Sequence, residues 1–448
     1  MVLFAAGIVL RVLYSIAYGP ALMFSDSWRY IAAAWMQGLP QATQVGPAGY
    51  PALIEIVTLV GRDLAVVVTF NHFAGLATAG VAFLLLRRLG VGYWLAFAAT
   101  AVLVLDASLI ALEQHVLAEA PFALALTAAA YLSVGDRGPL ALVAAGGLLI
   151  AASGMRLAGV FAIPVWLLFV LWRHREPPKL GGAAAGLLLP VLAVAAVAAI
   201  SGKGVGVPAS DGWFLYGRIA QDLDCRGLDV PERARGLCQR TPEDSRRGAN
   251  YHMFNPDSPA RQTFGYSDAA ESNRILRAFA IDVILDRPLA YVGAVGEDFA
   301  RFFWPESRRA DPTLTVPRAN EGPRRDTEQA HTARDRETYA SGYTTPRGPP
   351  AGLLEHYETV FRIPPVLMVA LLVASLAAIV QGVRRPMRGR APEVFLLTGV
   401  GVVLLLGGVA VSDWSYRYMM PALPLLLTGG CLALRELATG TRWWSALE

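Results

Sequence analysis

The chain has 448 residues, 54% of them hydrophobic and only 17% charged, with a mean hydropathy of +0.43, where soluble domains carry roughly 25% charge. This excludes an ordinary soluble globule and predicts a protein that crosses a membrane several times. The net charge of +4 comes largely from arginine, lysine standing only at Lys179 and Lys203, and much of the arginine lies in short loops between apolar segments, where membrane topology explains it without a nucleic-acid partner.

Crossing the hydrocarbon core takes about 20 apolar residues, fewer or more with tilt. Ten segments qualify: 2–18, 64–86, 94–110, 118–134, 140–154, 158–172, 180–200, 364–383, 394–411 and 419–434. The first lacks the basic start and small-residue cleavage site of a signal peptide and is read as a true span. The two spans flanking Met155 and Arg156 are so close that one broken helix is the alternative.

Loops containing Arg87 and Arg88, then Arg137, then Arg173, Arg175 and Lys179, then Arg384, Arg385, Arg388 and Arg390 alternate with loops poor in net positive charge. Placing the basic loops in the cytoplasm puts both termini with them and leaves 19–63 and 201–358 outside. The chain thus divides into an N-terminal membrane module, 1–200, with its first external loop at 19–63; an external insertion, 201–358; and C-terminal membrane helices, 359–448. Cys225 and Cys238 are the only cysteines of the insertion, and an outer, oxidising compartment lets them bridge. Cys431 falls in the last span as a small core residue, and no Cys/His spacing suggests zinc.

Just beyond the first span stands FSDSWRY, with Asp26 at its centre. The segment SDSWRYIAAAWMQG predicts a short interfacial helix capped by Ser25, with Trp28 and Tyr30 at the headgroup level and Gly38 and Pro40 ending it. A second apolar helix starts near Pro51 and carries Glu55. Within the spans, Asn71 and His72 are read as interhelical hydrogen-bonders, and Asp106 as a cap of the third span or a cavity residue. His115 and Glu119, four residues apart, are expected on one helical face. In the insertion, 269–304 reads as two amphipathic helices broken near Arg287 and Pro288. The polar stretch 305–350 reads as a cover or loop, and no independent globular domain is evident. From residue types alone, Asp26 is either an interfacial acid or a general base.

Two interfacial helices after the first span, with an acid leading them, resemble the GT-C superfamily of integral-membrane glycosyltransferases. In particular they resemble the bacterial relatives of protein mannosyltransferases and of lipid-carrier-dependent arabinosyl and aminoarabinosyl transferases. LEQHVLAEAPFALAL, with Glu119, resembles the family's second external loop, and GMRLAGVFAIP, with Arg156, resembles a tight turn between later spans. SDWSYRYMMPALPLLL, with Arg417, Tyr418, Pro421 and Pro424, resembles the RYxxPxxPLL end of many members. WFLYGRIAQDLDC is similar to the start of the external part in actinobacterial members.

The resemblance implies an all-α, polytopic GT-C-like bundle of about ten transmembrane helices in the bacterial plasma (inner) membrane, with its active site facing outside. It implies a polyprenyl-phosphate-linked sugar as donor, a glycan, lipid or protein hydroxyl as acceptor, and inversion at the anomeric carbon, with Asp26 as general base. Arg417, Arg156 and Arg29 are implied as contacts to the donor phosphate, with Glu119, His115 and Tyr418 in the same donor site. Ser27 stands where some members carry a second acid, so the motif does not support a metal held by paired carboxylates, and no cofactor is obligatory. The alternatives are a lipid or solute transporter or flippase, and a catalytically inactive accessory subunit of the same fold. Against a transporter, neither half of the chain mirrors the other, and the polar residues collect at the outer ends of spans.

Overall fold

The computed structural model describes residues 1–37, 47–201, 210–221, 223, 225, 227, 230, 232–238, 248–265, 269–304, 348–384, 389–412 and 414–439. Gly38, Pro40, Arg385, Arg388 and most of the polar stretch 305–350 lie outside them. Among the described residues the regular structure is helical, with one isolated parallel bridge between Leu22 and His115.

The N-terminal part runs α1 (Val2–Tyr18), α2 (Ser25–Ala32), α3 (Gly49–Val57), α4 (Leu64–Arg88), α5 (Tyr93–Leu105), α6 (Ala107–Glu113), α7 (Glu119–Ser133), α8 (Pro139–Met155), α9 (Ala162–Arg173) and α10 (Pro177–Ser201). The insertion holds α11 (Asp211–Ala220), α12 (Ala249–Phe254), α13 (Pro259–Phe264), α14 (Ala269–Asp286) and α15 (Pro288–Arg301). The chain closes with α16 (Ala351–Val360), α17 (Pro365–Arg384), α18 (Ala391–Val411) and α19 (Met419–Ala438).

All ten segments expected to span are helical. By length and composition α4, α10, α17, α18 and α19 are each long and apolar enough to cross a membrane, and the α5–α6 pair, bent by 48°, makes a sixth if taken as one span. The others are helical but shorter. The third expected span breaks at Asp106, whose extended backbone ends α5 and whose Oδ1 accepts from Ser108 and Leu109 N–H at 2.9 and 3.3 Å to cap α6. Its Oδ2 accepts from Ile363 N–H at 2.8 Å, tying the break to the approach of α17. A side chain that satisfies the first orphan N–H groups of a helix starts a new one. Met155 and Arg156 mark a real boundary: Arg156 is extended, and a 3-10 turn, Leu157–Phe161, leads into α9.

The helix α19 is the axis of the bundle. Of its apolar window 89% is buried, against 22% for α10 and α17, as befits a helix that is hydrophobic all round. Gly430 lets Leu371 of α17 pack against it, the small-residue contact that brings membrane helices close. The basic loops gather at one end. Arg88 and Arg137 both lie against Tyr131, Arg173 and Arg390 meet Glu393, and Lys179 reaches Asp136. Glu119 and Asp136 flank opposite ends of α7, so the loops that carry Asp26 and Glu119 lie at the other end.

The insertion departs from expectation by packing a core of its own. Trp213, Tyr216 and Ile219 of α11 meet Leu276, Phe279 and Ala280 of α14, with Ala234, Leu237 and Ala260. The apolar face of WFLYGRIA was too short to read as a core from sequence, because its partners lie far along the chain. Cys225 and Cys238 are bridged at the edge of this core, as expected. Replacing both by serine lowers the stability of this unit by about 3 kcal/mol, the entropic scale for so short a loop; an unchanged denaturation midpoint in Trp213 fluorescence would contradict this. The break between α14 and α15 falls at Arg287, with Pro288 opening α15. Tyr291 Oη of α15 donates to the Ala410 carbonyl of α18 at 2.6 Å, and Phe302 meets Trp414 and Tyr416. The helix α15 and the residues after it therefore rest on the end of α18 and the loop that carries Arg417.

Candidate functional site

Two loops, the one after α1 and the one between α6 and α7, are stitched together to form the site. Leu22 N–H donates to the Gln114 carbonyl at 2.9 Å, and Val116 N–H to the Leu22 carbonyl at 3.2 Å. Asn71 Nδ2 of α4 donates to the His115 and Leu117 carbonyls at 2.9 and 3.3 Å, and to Tyr50 Oη of α3 at 3.1 Å, the last being the interhelical role expected of it. The helix α2 follows directly. The side-chain contact at its start comes from Ser27, whose Oγ accepts from Phe24 N–H at 2.9 Å; the Ser25 side chain, expected to cap it, lies outside the described residues. Asp26 then stands in the first turn, where a carboxylate suits the helix dipole.

A chain of alternating charges crosses the site. Arg29 Nη2 lies 3.9 Å from Asp26 Oδ1, and Arg417 Nη2 donates to Asp26 Oδ2 at 2.7 Å. Arg417 Nε lies 3.7 Å from Glu119 Oε1, which also accepts from Arg156 Nη1. Tyr418 lies beneath both guanidiniums, its ring centroid 5.5 Å from Arg156 Cζ and 5.6 Å from Arg417 Cζ, and Phe24 faces Arg417 at 4.7 Å. Glu119 is buried at 2% side-chain exposure, whereas Asp26 and Arg29 at 29% reach the surface. Three arginines against two carboxylates leave one positive charge in excess at an accessible edge, which suits an anionic group. Among the described residues no group of three or more His, Cys, Asp or Glu side chains could hold a metal ion.

Six residues expected in the site therefore come together: Asp26, Arg29, Glu119, Arg156, Arg417 and Tyr418. His115 is placed differently. It lies in the non-helical link between α6 and α7, so it shares no helical face with Glu119, and its Nδ1 faces the Ala111 carbonyl at 2.7 Å. The link is non-helical because its backbone groups bond to Leu22 and Asn71 instead of to the next helical turn.

Burial by itself would raise the Asp26 carboxyl, but Arg417 and then Arg29 beside it pull it down to about 2. A carboxyl lowered by folding stabilises the fold above its ordinary value of 3.8 and loses that contribution as pH falls towards about 2. The melting-temperature difference between the wild type and Asp26→Asn is therefore expected to shrink across that window; a constant difference would show that the pair does not couple to folding.

A second polar network lies deeper and was not foreseen beyond His72. Arg11 of α1 donates through Nε and Nη2 to both oxygens of Glu113, each at 2.8 Å, and His72 Nδ1 lies 2.9 Å from Glu113 Oε2. The one sequence signal for it was an arginine and a glutamate inside apolar runs, since buried charges must pair.

No protein-family model and no curated protein sequence matches the chain. Solved structures are similar over nearly its whole length. ArnT from Cupriavidus metallidurans bound to undecaprenyl phosphate shares 15% identity, covering 98% of this chain and 77% of that one, at a TM-score of 0.37. Its apo state gives the same identity and coverage at 0.36. The apo oligosaccharyltransferase of Archaeoglobus fulgidus shares 13% identity, covering 99% of this chain and 51% of that one, at 0.38. At such identities and scores, the functional reading rests on the geometry above.

Proposed function

We propose that the chain is a membrane glycosyltransferase that moves a sugar from a polyprenyl-phosphate carrier to an acceptor hydroxyl at the outer face of a bacterial inner membrane. The observation that carries this reading is the 2.7 Å pairing of Asp26 with Arg417, which joins a candidate base to a candidate phosphate ligand beside one net positive charge. The motif resemblance to GT-C enzymes supports the same assignment.

In the resting site Asp26 is too weak a base for efficient proton transfer, because a carboxyl near 2 lies far from a working pH. The carrier phosphate resolves this. A guanidinium fork suits phosphate oxygens, so an arriving phosphate draws Arg417 from Asp26 and leaves the carboxylate to the acceptor hydroxyl. Asp26 then takes the hydroxyl proton as the acceptor oxygen bonds to the anomeric carbon, while the bond from that carbon to the phosphate oxygen breaks and the lipid phosphate leaves, inverting the centre. Arg156 and Arg29 stabilise the charge gathering on the phosphate, and Glu119 holds Arg156 and Arg417 in place.

The test is transfer by the purified full chain with a panel of synthetic polyprenyl-phosphate sugars and hydroxyl acceptors. Turnover of at least one donor is expected. Absence of turnover with every donor would overturn the reading in favour of a transporter or an inactive accessory subunit.

A further inference from the structure

At the end of the bundle opposite Asp26, two arginines share one tyrosine. The α4 span ends at Arg88, and Arg137 stands in the turn between α7 and α8. Arg88 Cζ lies 5.5 Å and Arg137 Cζ 4.6 Å from the ring centroid of Tyr131 on α7. Laid end to end these distances come to about 10 Å, one Debye length in about 0.1 M salt, so the two like charges are incompletely screened from each other. The turn is shaped to bring them together. Gly135 has a φ of 78°, and a Cβ on it would stand 2.6 Å from Arg88 Nη2, so a glycine there lets the Arg88 guanidinium lie against the loop that carries Arg137.

The acids described at this end are claimed by other partners. Lys179 meets Asp136 at 2.9 Å and Glu176 at 3.0 Å, Arg173 and Arg390 meet Glu393, and Glu436 is held by Arg435 at 2.7 Å and by the Arg390 N–H at 2.9 Å. Asp136 adjoins Arg137 in the sequence, yet its side chain, 92% exposed, turns to Lys179. Among the described residues no carboxylate comes within ion-pair distance of Arg88 or Arg137, and Arg137 Nε is buried without a hydrogen-bond partner. Both arginines are half-buried, and a partly desolvated charge is costly until it is paired. Their planar forks suit phosphate oxygens, and the tyrosine ring steadies them by cation–π attraction. Arg88 also stands where a span leaves the hydrocarbon, the depth of the lipid phosphates, and basic pockets between membrane helices take anionic headgroups there.

We propose that Arg88, Arg137 and Tyr131 form a binding site for a phosphate group, supplied by the headgroup of an anionic phospholipid in the surrounding leaflet. The site is remote from Asp26 and independent of the transferase reading, and its test needs no turnover. The delipidated full chain in a neutral detergent is titrated with phosphatidylglycerol and with phosphatidylcholine, whose choline cation opposes the arginines, and the adducts are counted by native mass spectrometry. The first phosphatidylglycerol is expected to bind at least about tenfold more tightly, the low end of what one charge-assisted hydrogen bond supplies. The double variant Arg88→Gln, Arg137→Gln is expected to lose that preference. The double variant Arg87→Gln, Arg175→Gln removes the same charge from exposed positions at the same end and is expected to keep it. Melting curves provide a second readout: phosphatidylglycerol is expected to raise the midpoint of the wild type and of the exposed-arginine variant but not that of the Arg88, Arg137 variant, with the single variant Arg137→Gln between them. Equal binding of the two lipids by the wild type, or equal loss in both double variants, would overturn the site. Displacement of the lipid by millimolar inorganic phosphate would overturn the lipid as the source and assign the site to a soluble phosphate.

Discussion

Asp26→Asn is expected to lower the turnover of the best donor by about 10²–10⁴-fold, the range for removing a general base, with little change in donor KM. The substitution is nearly isosteric and keeps an oxygen that accepts from Arg417, so the local geometry of α2 survives while the proton acceptor does not. The pairing with Arg417 sharpens the expectation further. If the arriving phosphate must draw Arg417 away before Asp26 can act, then Arg417→Lys, which keeps the charge but loses the fork, is expected to raise donor KM and lower kcat together. Turnover by Asp26→Asn at the wild-type rate would remove Asp26 from the chemistry. A change confined to KM would make it a binding residue only.

Glu119→Gln is expected to destabilise the protein by about 3–5 kcal/mol, the cost of removing one partner from a buried ion pair. Glu119 is 2% exposed and faces both Arg156 and Arg417, so its loss leaves two guanidiniums looking at each other over Tyr418 with no intervening negative charge. It also opens α7, where a negative charge is favoured by the helix dipole. By contrast, Arg29→Gln, at the exposed end of the same chain and 3.9 Å from Asp26, is expected to cost less than about 1 kcal/mol. Thermal unfolding of the three proteins in one detergent checks the ordering; equal midpoints for Glu119→Gln and the wild type would show that the buried pair does not hold the site together.

Much of this architecture was legible because it is local. Apolar runs of near-span length predicted ten helical segments of the bundle, and Pro288 predicted the break between α14 and α15. Asp106 was legible as a cap, yet its consequence was not, because the decision to end one helix and start another depends on a second partner, Ile363 N–H, 257 residues away. His115 was misplaced for a related reason. Spacing of four implies a shared face only if the backbone between stays helical, and there the carbonyls of Gln114, His115 and Leu117 are taken by Leu22 and Asn71.

The deeper network shows the same division more sharply. Of its members only His72 was singled out, as an interhelical hydrogen-bonder within a span; Arg11 and Glu113 sit in apolar runs, and the expense of burying a charge means that each must have a partner. Which partners was not written in any one segment. Arg11 and Glu113 are 102 residues apart, and only the packing of α1 and α6 around α4 makes them neighbours.

By itself the sequence determined a polytopic helical protein, where its apolar helices lie along the chain, the loops in which its basic charges fall and the residue types able to do chemistry there. These follow from hydropathy, capping and charge, which act over a few turns of chain. Only the tertiary structure decided that Asp26 meets Arg417 across 391 positions, that Glu119 joins Arg417 to Arg156, and that His72 meets Glu113. Such pairings depend on how whole helices pack, and helical periodicity says which face is buried but not what it is buried against.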